Sequence, residues 1–177
     1  DRGSYLSYGR DWATVSNTPF RGHKGSTLEG GIRSPLIVHW PEGLSNQTTL
    51  DTESIIDVKD IYPTILNLAD ASVDDTLPGE DFAQVLTGAT FKREKPLFWE
   101  HTGWRGVRAE NWKAVFNPRH ARWALYDVVR DPAEHKDLAA DHPEVIEDLS
   151  GRWQAWSDAV GTEGFDFELW RSYFRGR

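Results

Sequence analysis

Cysteine is absent from this chain of 177 residues, so neither a disulfide framework nor a thiolate metal site can be built, and the redox compartment is left open. Methionine is absent as well. With no initiator residue and a polar opening stretch, the sequence is expected to be a fragment whose front part is missing. No apolar run approaches the roughly 18 residues of a membrane-crossing helix, and no leader pattern is visible; no membrane partner is expected and the location is left unassigned. Positive charge is scarce: 20 Lys and Arg face 28 Asp and Glu, a net charge of -8 with a pI near 5.2. Nucleic acid is therefore not expected as a partner, because neutralising phosphates takes a basic face. The six histidines lack the i, i+4 pairing of a helical zinc site. There is no Gly-x-Ser-x-Gly nucleophile elbow, and Lys24-Gly25-Ser26 reverses the order a phosphate-binding P-loop needs.

What is present is concentrated in residues 17–41. Arg21, His23, Lys24 and Arg33 stand among Gly22, Gly25, Gly30 and Gly31, where missing side chains let backbone amides and a ligand approach closely. Between residues 10 and 33, Arg10, Arg21, Lys24 and Arg33 oppose only Asp11 and Glu29. A small anion would be drawn to this region of an otherwise acidic chain, and the segment reads as an oxyanion pocket.

The hydrophobic content of 38% is enough for a core. Residues 1–35 read as a long ordered loop. Leu36 to Trp40, a continuous apolar run between Pro35 and Pro41, predicts a strand buried on both faces of a parallel sheet. Asp60 is the expected N-cap of a helix with Pro63 in its first turn and Ile61, Tyr62, Ile65, Leu66 and Ala69 on one face. A short helix is expected from Phe82 to Leu86, and a domain boundary near residue 90. Beyond it, aromatic and β-branched runs at Pro96 to His101, Gly106 to Ala109, Trp112 to Asn117 and Trp123 to Asp127 predict an antiparallel meander with Glu110-Asn111 as a tight turn. A helix from Pro143 to about Val160, with Val145, Ile146, Leu149, Trp153, Trp156 and Val160 on one stripe, should cover one face of that meander. Residues 161–177 read as an extension.

Several of these segments also resemble a known family. Lys24 followed by Glu29-Gly30-Gly31-Ile32-Arg33-Ser34-Pro35-Leu36-Ile37 and ending in Trp40-Pro41 resembles a run of the type I sulfatases of the arylsulfatase class, within the alkaline-phosphatase-like superfamily. Asp60-Ile61-Tyr62-Pro63-Thr64-Ile65-Leu66, Leu77-Pro78-Gly79 with Leu86-Thr87-Gly88, and Trp99-Glu100-His101 through Trp112-Lys113 resemble later motifs of the same family, in the same order over residues 8–160. The resemblance implies an α/β fold class: residues 1–90 as the C-terminal part of the catalytic domain, and 91–177 as a small α+β subdomain with an antiparallel sheet packed on a helix. It implies sulfate ester hydrolysis of a sulfated small molecule or glycan, with the sulfate-contacting catalytic role carried to Lys24 alone. His23 is a candidate donor to the ester oxygen and Arg21 a candidate substrate contact; Arg21 and Arg33 could instead orient the loop through Glu29, which could tether this turn. Many relatives have histidine where Leu28 stands.

Calcium and a formylglycine are implied for the full-length enzyme, in a missing N-terminal catalytic half. No Cys/Ser-x-Pro-x-Arg run occurs here, Ser34-Pro35 included, and no metal is assigned to this chain: Asp1-Arg2-Gly3 places a cation beside any calcium ligand. The fragment alone is expected to be inactive. Hydrolysis of a sulfate ester spreads negative charge over sulfonyl and leaving oxygens, so positioned cations and donors dominate, and a lysine supplies a compact point charge. His101 is expected to be packed rather than catalytic, and Asn46-Gln47-Thr48 is a formal glycosylation acceptor.

Two alternatives stay open. Nine tryptophans and five tyrosines could form a glycan-binding platform beside the basic loop. Core packing is the competing use, expected for Trp112, Trp123, Trp153 and Trp156, which leaves Trp99, Trp104 and Trp170 for a substrate rim. A phosphate or phosphonate ester hydrolase of the same superfamily is the other alternative.

Overall fold

In the computed structural model, which describes residues 9–44 and 51–162, the alternating runs after residue 96 form a four-stranded antiparallel sheet. Its strands are β1 (Leu97–His101), β2 (Trp104–Ala109), β3 (Trp112–Asn117) and β4 (Arg122–Asp127), hydrogen-bonded in sequence order. His101 pairs with Trp104 and Ala109 with Trp112, so two hairpins close over two residues each. Thr102 and Gly103 both have positive φ, 50° and 86°, as a type I′ turn requires, and Glu110 opens the other turn at 52°.

Period-two alternation gives this sheet two covered faces. Phe98, Val107, Ala114, Trp123 and Leu125 meet helix α5 (Pro143–Val160) through Leu149, Trp153 and Trp156. Pro143 occupies the first turn, where its missing N–H costs nothing, and Gly161 at φ 70° ends the helix in the left-handed region. Phe98 stacks on Trp156 at 5.3 Å, and Trp123 meets Trp153 edge-on at 6.1 Å. The Trp153 indole N–H donates to the carbonyl of Trp99 at 2.9 Å, so a buried ring keeps its polar atom paired. Of the expected stripe only Val160 is exposed, at the helix end. On the opposite face, Val115, Tyr126 and Val128 form a second apolar cluster with Leu28 and half-buried Trp104.

By contact the chain divides into two units, one joining the residues up to Ser34 with those from Leu97 onward, the other being Pro35–Pro96. In the first unit, the expected long loop holds two short helices, α1 (Arg10–Val15) and α2 (Glu29–Ile32). The second unit contains a 3-10 turn (Val58–Asp60), α3 (Ile61–Leu68) and α4 (Ala83–Leu86).

Three expectations need correction in the second unit. Leu36 to Trp40 forms no regular element and pairs with no strand among the described residues, and Leu36, Ile37, Val38 and Trp40 are exposed. An apolar run becomes a buried strand only where neighbouring strands exist to receive it. Asp60 does not cap α3 with its side chain. Asp57 caps the 3-10 turn instead, accepting from the Lys59 amide at 3.0 Å, while buried Asp60 accepts from the amides of Asp57 at 2.6 Å and Glu80 at 2.8 Å and pairs with Arg93. Finally, α3 buries Pro63 and Thr64 and exposes Ile61, Tyr62, Ile65 and Ala69. Thr64 is held inward because its hydroxyl donates to the Asp60 carbonyl at 2.7 Å and accepts from the Phe82 amide at 3.0 Å.

No helix among the described residues is long and apolar enough to cross a membrane. The readings at Asp1-Arg2-Gly3, Asn46-Gln47-Thr48, Trp170 and residues 163–177 lie outside the described residues.

Candidate functional site

The glycines singled out in the sequence shape a closed loop from Arg21 to Gly31. The Ser26 amide bonds the His23 carbonyl at 3.3 Å, making a β-turn with Lys24 and Gly25 at its centre. Gly25 has φ 96°, the positive angle a type II turn demands of its third residue. At the base of the loop the Gly30 amide donates to Arg21 O at 2.9 Å, and a Cβ on Gly31 would stand 2.2 Å from the Ser26 carbonyl oxygen. No residue but glycine fits there.

Lys24 occupies the corner of the turn. It is exposed, and its ammonium makes no hydrogen bond or ion pair among the described residues. Next to it, half-buried His23 donates from Nδ1 to the Lys24 carbonyl at 2.9 Å. That bond needs the proton on Nδ1, so Nε2 is an acceptor in the neutral ring and a donor only in the cation. Arg21 Nη1 donates to the Glu134 carbonyl at 2.9 Å. Arg33 lies 3.7 Å from Glu29 and over the ring of Phe20 at 4.5 Å. His101 is exposed at the end of β1.

Under the loop sits a buried charge cluster on the second face of the sheet. Glu29 Oε1 accepts from Lys113 Nζ at 2.7 Å, and Lys113 Nζ lies 2.9 Å from Glu134 Oε1, an ion-pair contact without hydrogen-bond alignment. Lys113 and Glu134 are both 0% exposed and Glu29 is 2% exposed. The Glu29 amide donates to Glu134 Oε2 at 2.7 Å, Arg108 approaches Glu29 at 3.9 Å, and the Thr27 hydroxyl donates to Arg105 O at 3.0 Å. Burial pushes the Glu134 carboxyl above its ordinary value, and neighbouring Lys113 pulls it part of the way back. Burial likewise lowers the Arg108 guanidinium and raises the Tyr126 phenol.

Sequence reasoning brought Arg21, His23, Lys24 and Arg33 to one segment; the structure keeps Arg21, His23 and Lys24 on the loop and places Arg33 just past it, at the end of α2. It missed Lys113, Glu134 and Arg108. One signal was available: β3 reads Trp-Lys-Ala-Val-Phe-Asn, apolar at both parities, so both faces of the sheet had to be covered. No group of three or more His, Asp or Glu among the described residues could hold a metal ion.

The family model described as "N-sulphoglucosamine sulphohydrolase, C-terminal" matches residues 23–156. An uncharacterized sulfatase of Schizosaccharomyces pombe is 31% identical over 176 residues, covering 89% of this chain and 31% of that protein. Human arylsulfatase A is 33% identical over 136 residues, covering 72% of this chain and 26% of its own length. Among solved structures, the crystal structure of Ps i-CgsB superposes with a TM-score of 0.67 at 26% identity, covering 80% of this chain and 32% of that one. The same protein in complex with k-i-k-neocarrahexaose gives 0.64 at 25% identity, again covering 80% and 32%. The chain thus spans less than a third of the length of these relatives.

Proposed function

The chain belongs to the sulfatase family, as the C-terminal region of its members, and we propose that the whole protein hydrolyses sulfate esters with this region bringing Lys24 to the sulfate oxygens. The observation that carries this reading is the contrast within the loop: Lys24 is exposed and unpaired at a glycine-shaped corner, while Arg21 and Glu29 on either side are bound to Glu134, through its carbonyl and its buried carboxylate. In this reading residues 1–90 complete the catalytic domain and 91–177 form the accessory layer on which the loop is braced. A carbohydrate complex of one relative and the name of another, arylsulfatase A, support carbohydrate and aryl sulfates as the substrate classes.

Each polar group of the loop then has a task. The Lys24 ammonium offsets negative charge developing on the sulfonyl and leaving oxygens. His23 donates from Nε2 to the leaving oxygen when its ring carries both protons. Arg21 has one N–H committed to Glu134 O and keeps further donors for a substrate oxygen. Among the described residues no side-chain cluster fits calcium, and the sequence offers a formylglycine neither a cysteine nor a Ser-x-Pro-x-Arg run. Both belong, in this reading, to the N-terminal half of the protein.

The aromatic platform finds no comparable support. Trp153 is buried, and Trp99, Trp104, Trp112, Trp123 and Trp156 are half-buried, five of these six packed in the two apolar clusters. The test is Lys24→Ala in the full-length protein, assayed on a chromogenic aryl sulfate. A unit charge pair at ~4 Å and an effective dielectric of ~20 is worth roughly 4 kcal/mol, which corresponds to about a thousandfold loss in kcat/KM. Activity within about threefold of the parent would remove Lys24 from the reaction.

A further inference from the structure

We propose that Glu134 is a positioning residue for the reaction, a staple that holds both ends of the Lys24 loop at once; this rests on the role given to Lys24 above. Its two ends leave different signatures. Glu134 O accepts from Arg21 Nη1 at 2.9 Å on the entering side of the loop, and Glu134 Oε2 accepts from the Glu29 amide at 2.7 Å on the leaving side. Between those ties the hydrogen bonds of residues 22–26 stay within the loop, from His23 to Lys24 and from Ser26 to His23. Thr27, bonded to Arg105 O, anchors the return.

The staple is itself rigidly placed. Glu134 has φ 57° and its amide donates to Asp131 O at 3.0 Å, within a chain reversal whose Asp131 amide bonds Asp127 O at the end of β4 at 2.7 Å. Its other carboxylate oxygen faces Lys113 of β3 at 2.9 Å. A side chain with no exposed surface thus ties the loop to two strands, and it reaches no solvent or ligand itself. The separation in sequence, 113 residues to Arg21 and 105 to Glu29, means that nothing local replaces it. A displacement of about 1 Å at a reacting group costs on the order of a hundredfold in rate, so freeing one flank of the loop is a catalytic event at a distance.

The experiment compares Glu134→Ala and Glu134→Gln in the full-length protein, alone and combined with Lys24→Ala. The readouts are kcat/KM on an aryl sulfate and amide hydrogen exchange across residues 21–31. Glu134→Gln keeps an oxygen for the Glu29 amide. The expected result is a loss of about tenfold or more for Glu134→Ala, most of it recovered in Glu134→Gln, with exchange at Glu29 and Gly30 accelerated only in the alanine variant. In the Lys24→Ala background, Glu134→Ala should cost clearly less than in the parent, because the main cation that the loop positions is gone. Equal losses in both backgrounds, unchanged exchange, or a glutamine variant as impaired as alanine would each overturn the proposal. A fully active Lys24→Ala protein would instead remove the function assigned to Lys24, while the exchange data still decide whether Glu134 holds the loop. Should Glu134→Ala fail to fold, Glu134→Asp keeps the charge beside Lys113 but withdraws the oxygen from the Glu29 amide, and carries the same comparison.

Discussion

Replacing Lys113 by methionine removes one ammonium from between two carboxylates and leaves the packing volume nearly unchanged. Lys113 Nζ lies 2.7 Å from Glu29 and 2.9 Å from Glu134, with the three side chains at most 3% exposed. Methionine follows the path of the lysine stem, so the cavity contribution is small and the charge contribution dominates. Breaking a buried pair from one side costs about 3–5 kcal/mol, because the partner charge is left without compensation. The indole of Trp99, 5.8 Å from the ammonium, also loses a cation. Urea unfolding of the full-length protein, followed by circular dichroism, measures the loss.

The same variant has a defined pH signature. In the parent, burial already raises the native-state Glu134 carboxyl above its ordinary 4.5, and Glu29 adds to that rise while Lys113 opposes it. Without Lys113 the native-state value rises further. A group whose folded-state pKa is raised contributes stability below its unfolded value and loses it as pH climbs through the folded value. The deficit of Lys113→Met relative to the parent should therefore be small near pH 4.5 and grow towards neutrality. Adding Glu29→Gln and Glu134→Gln should restore most of the loss at neutral pH. A deficit under about 1 kcal/mol at neutral pH, or one that does not change with pH, would refute the charge argument.

Two further outcomes follow from the same packing logic. Gly31→Ala would bring a Cβ to 2.2 Å from Ser26 O and 2.7 Å from His23 O, whereas Gly25→Ala meets nothing within 4 Å and suffers only from φ 96°. Thermal unfolding and turnover should show Gly31→Ala disabling the loop and Gly25→Ala costing about 1–2 kcal/mol; equal effects would mean the tight base is not what shapes it. In the second unit, Arg93→Ala strands buried Asp60 against Glu80, 2.9 Å from the lost guanidinium, and should cost about 3–5 kcal/mol in the urea unfolding of that unit. A loss under about 1 kcal/mol would mean that Asp60 is satisfied by the Asp57 and Glu80 amides alone.

Local pattern carried the sheet and its helix almost residue for residue. β3 and α5 fall at the expected bounds, because alternation and a 3.6-residue stripe are written into contiguous residues that pack on each other. Leu36 to Trp40 shows where that logic ends: its apolar run is as strand-like as β1, but a strand is a relation between segments, and no described segment pairs with it. Asp60 shows another gap. Four residues fix a cap, yet Arg93, 33 positions away, helped decide what its carboxylate does. At the candidate site, the glycines and cations of residues 21–33 were legible as a cluster. Lys113 and Glu134 were not, since a buried lysine and a buried glutamate look like surface residues until the segment that neutralises them is known.

The hairpins of the sheet close over two to four residues, whereas the ties of the lysine loop span 78 to 113. Joining such distant stretches is entropically uphill until the sheet that receives them has formed. Order at the tip therefore arrives late on the folding route, and a chain stalled before the reversal at Glu134 docks would carry well-made hairpins beneath a slack, incompetent tip. On the role proposed for Lys24, folding and the arming of the cation would be a single event, and a half-folded chain would be inert rather than indiscriminate.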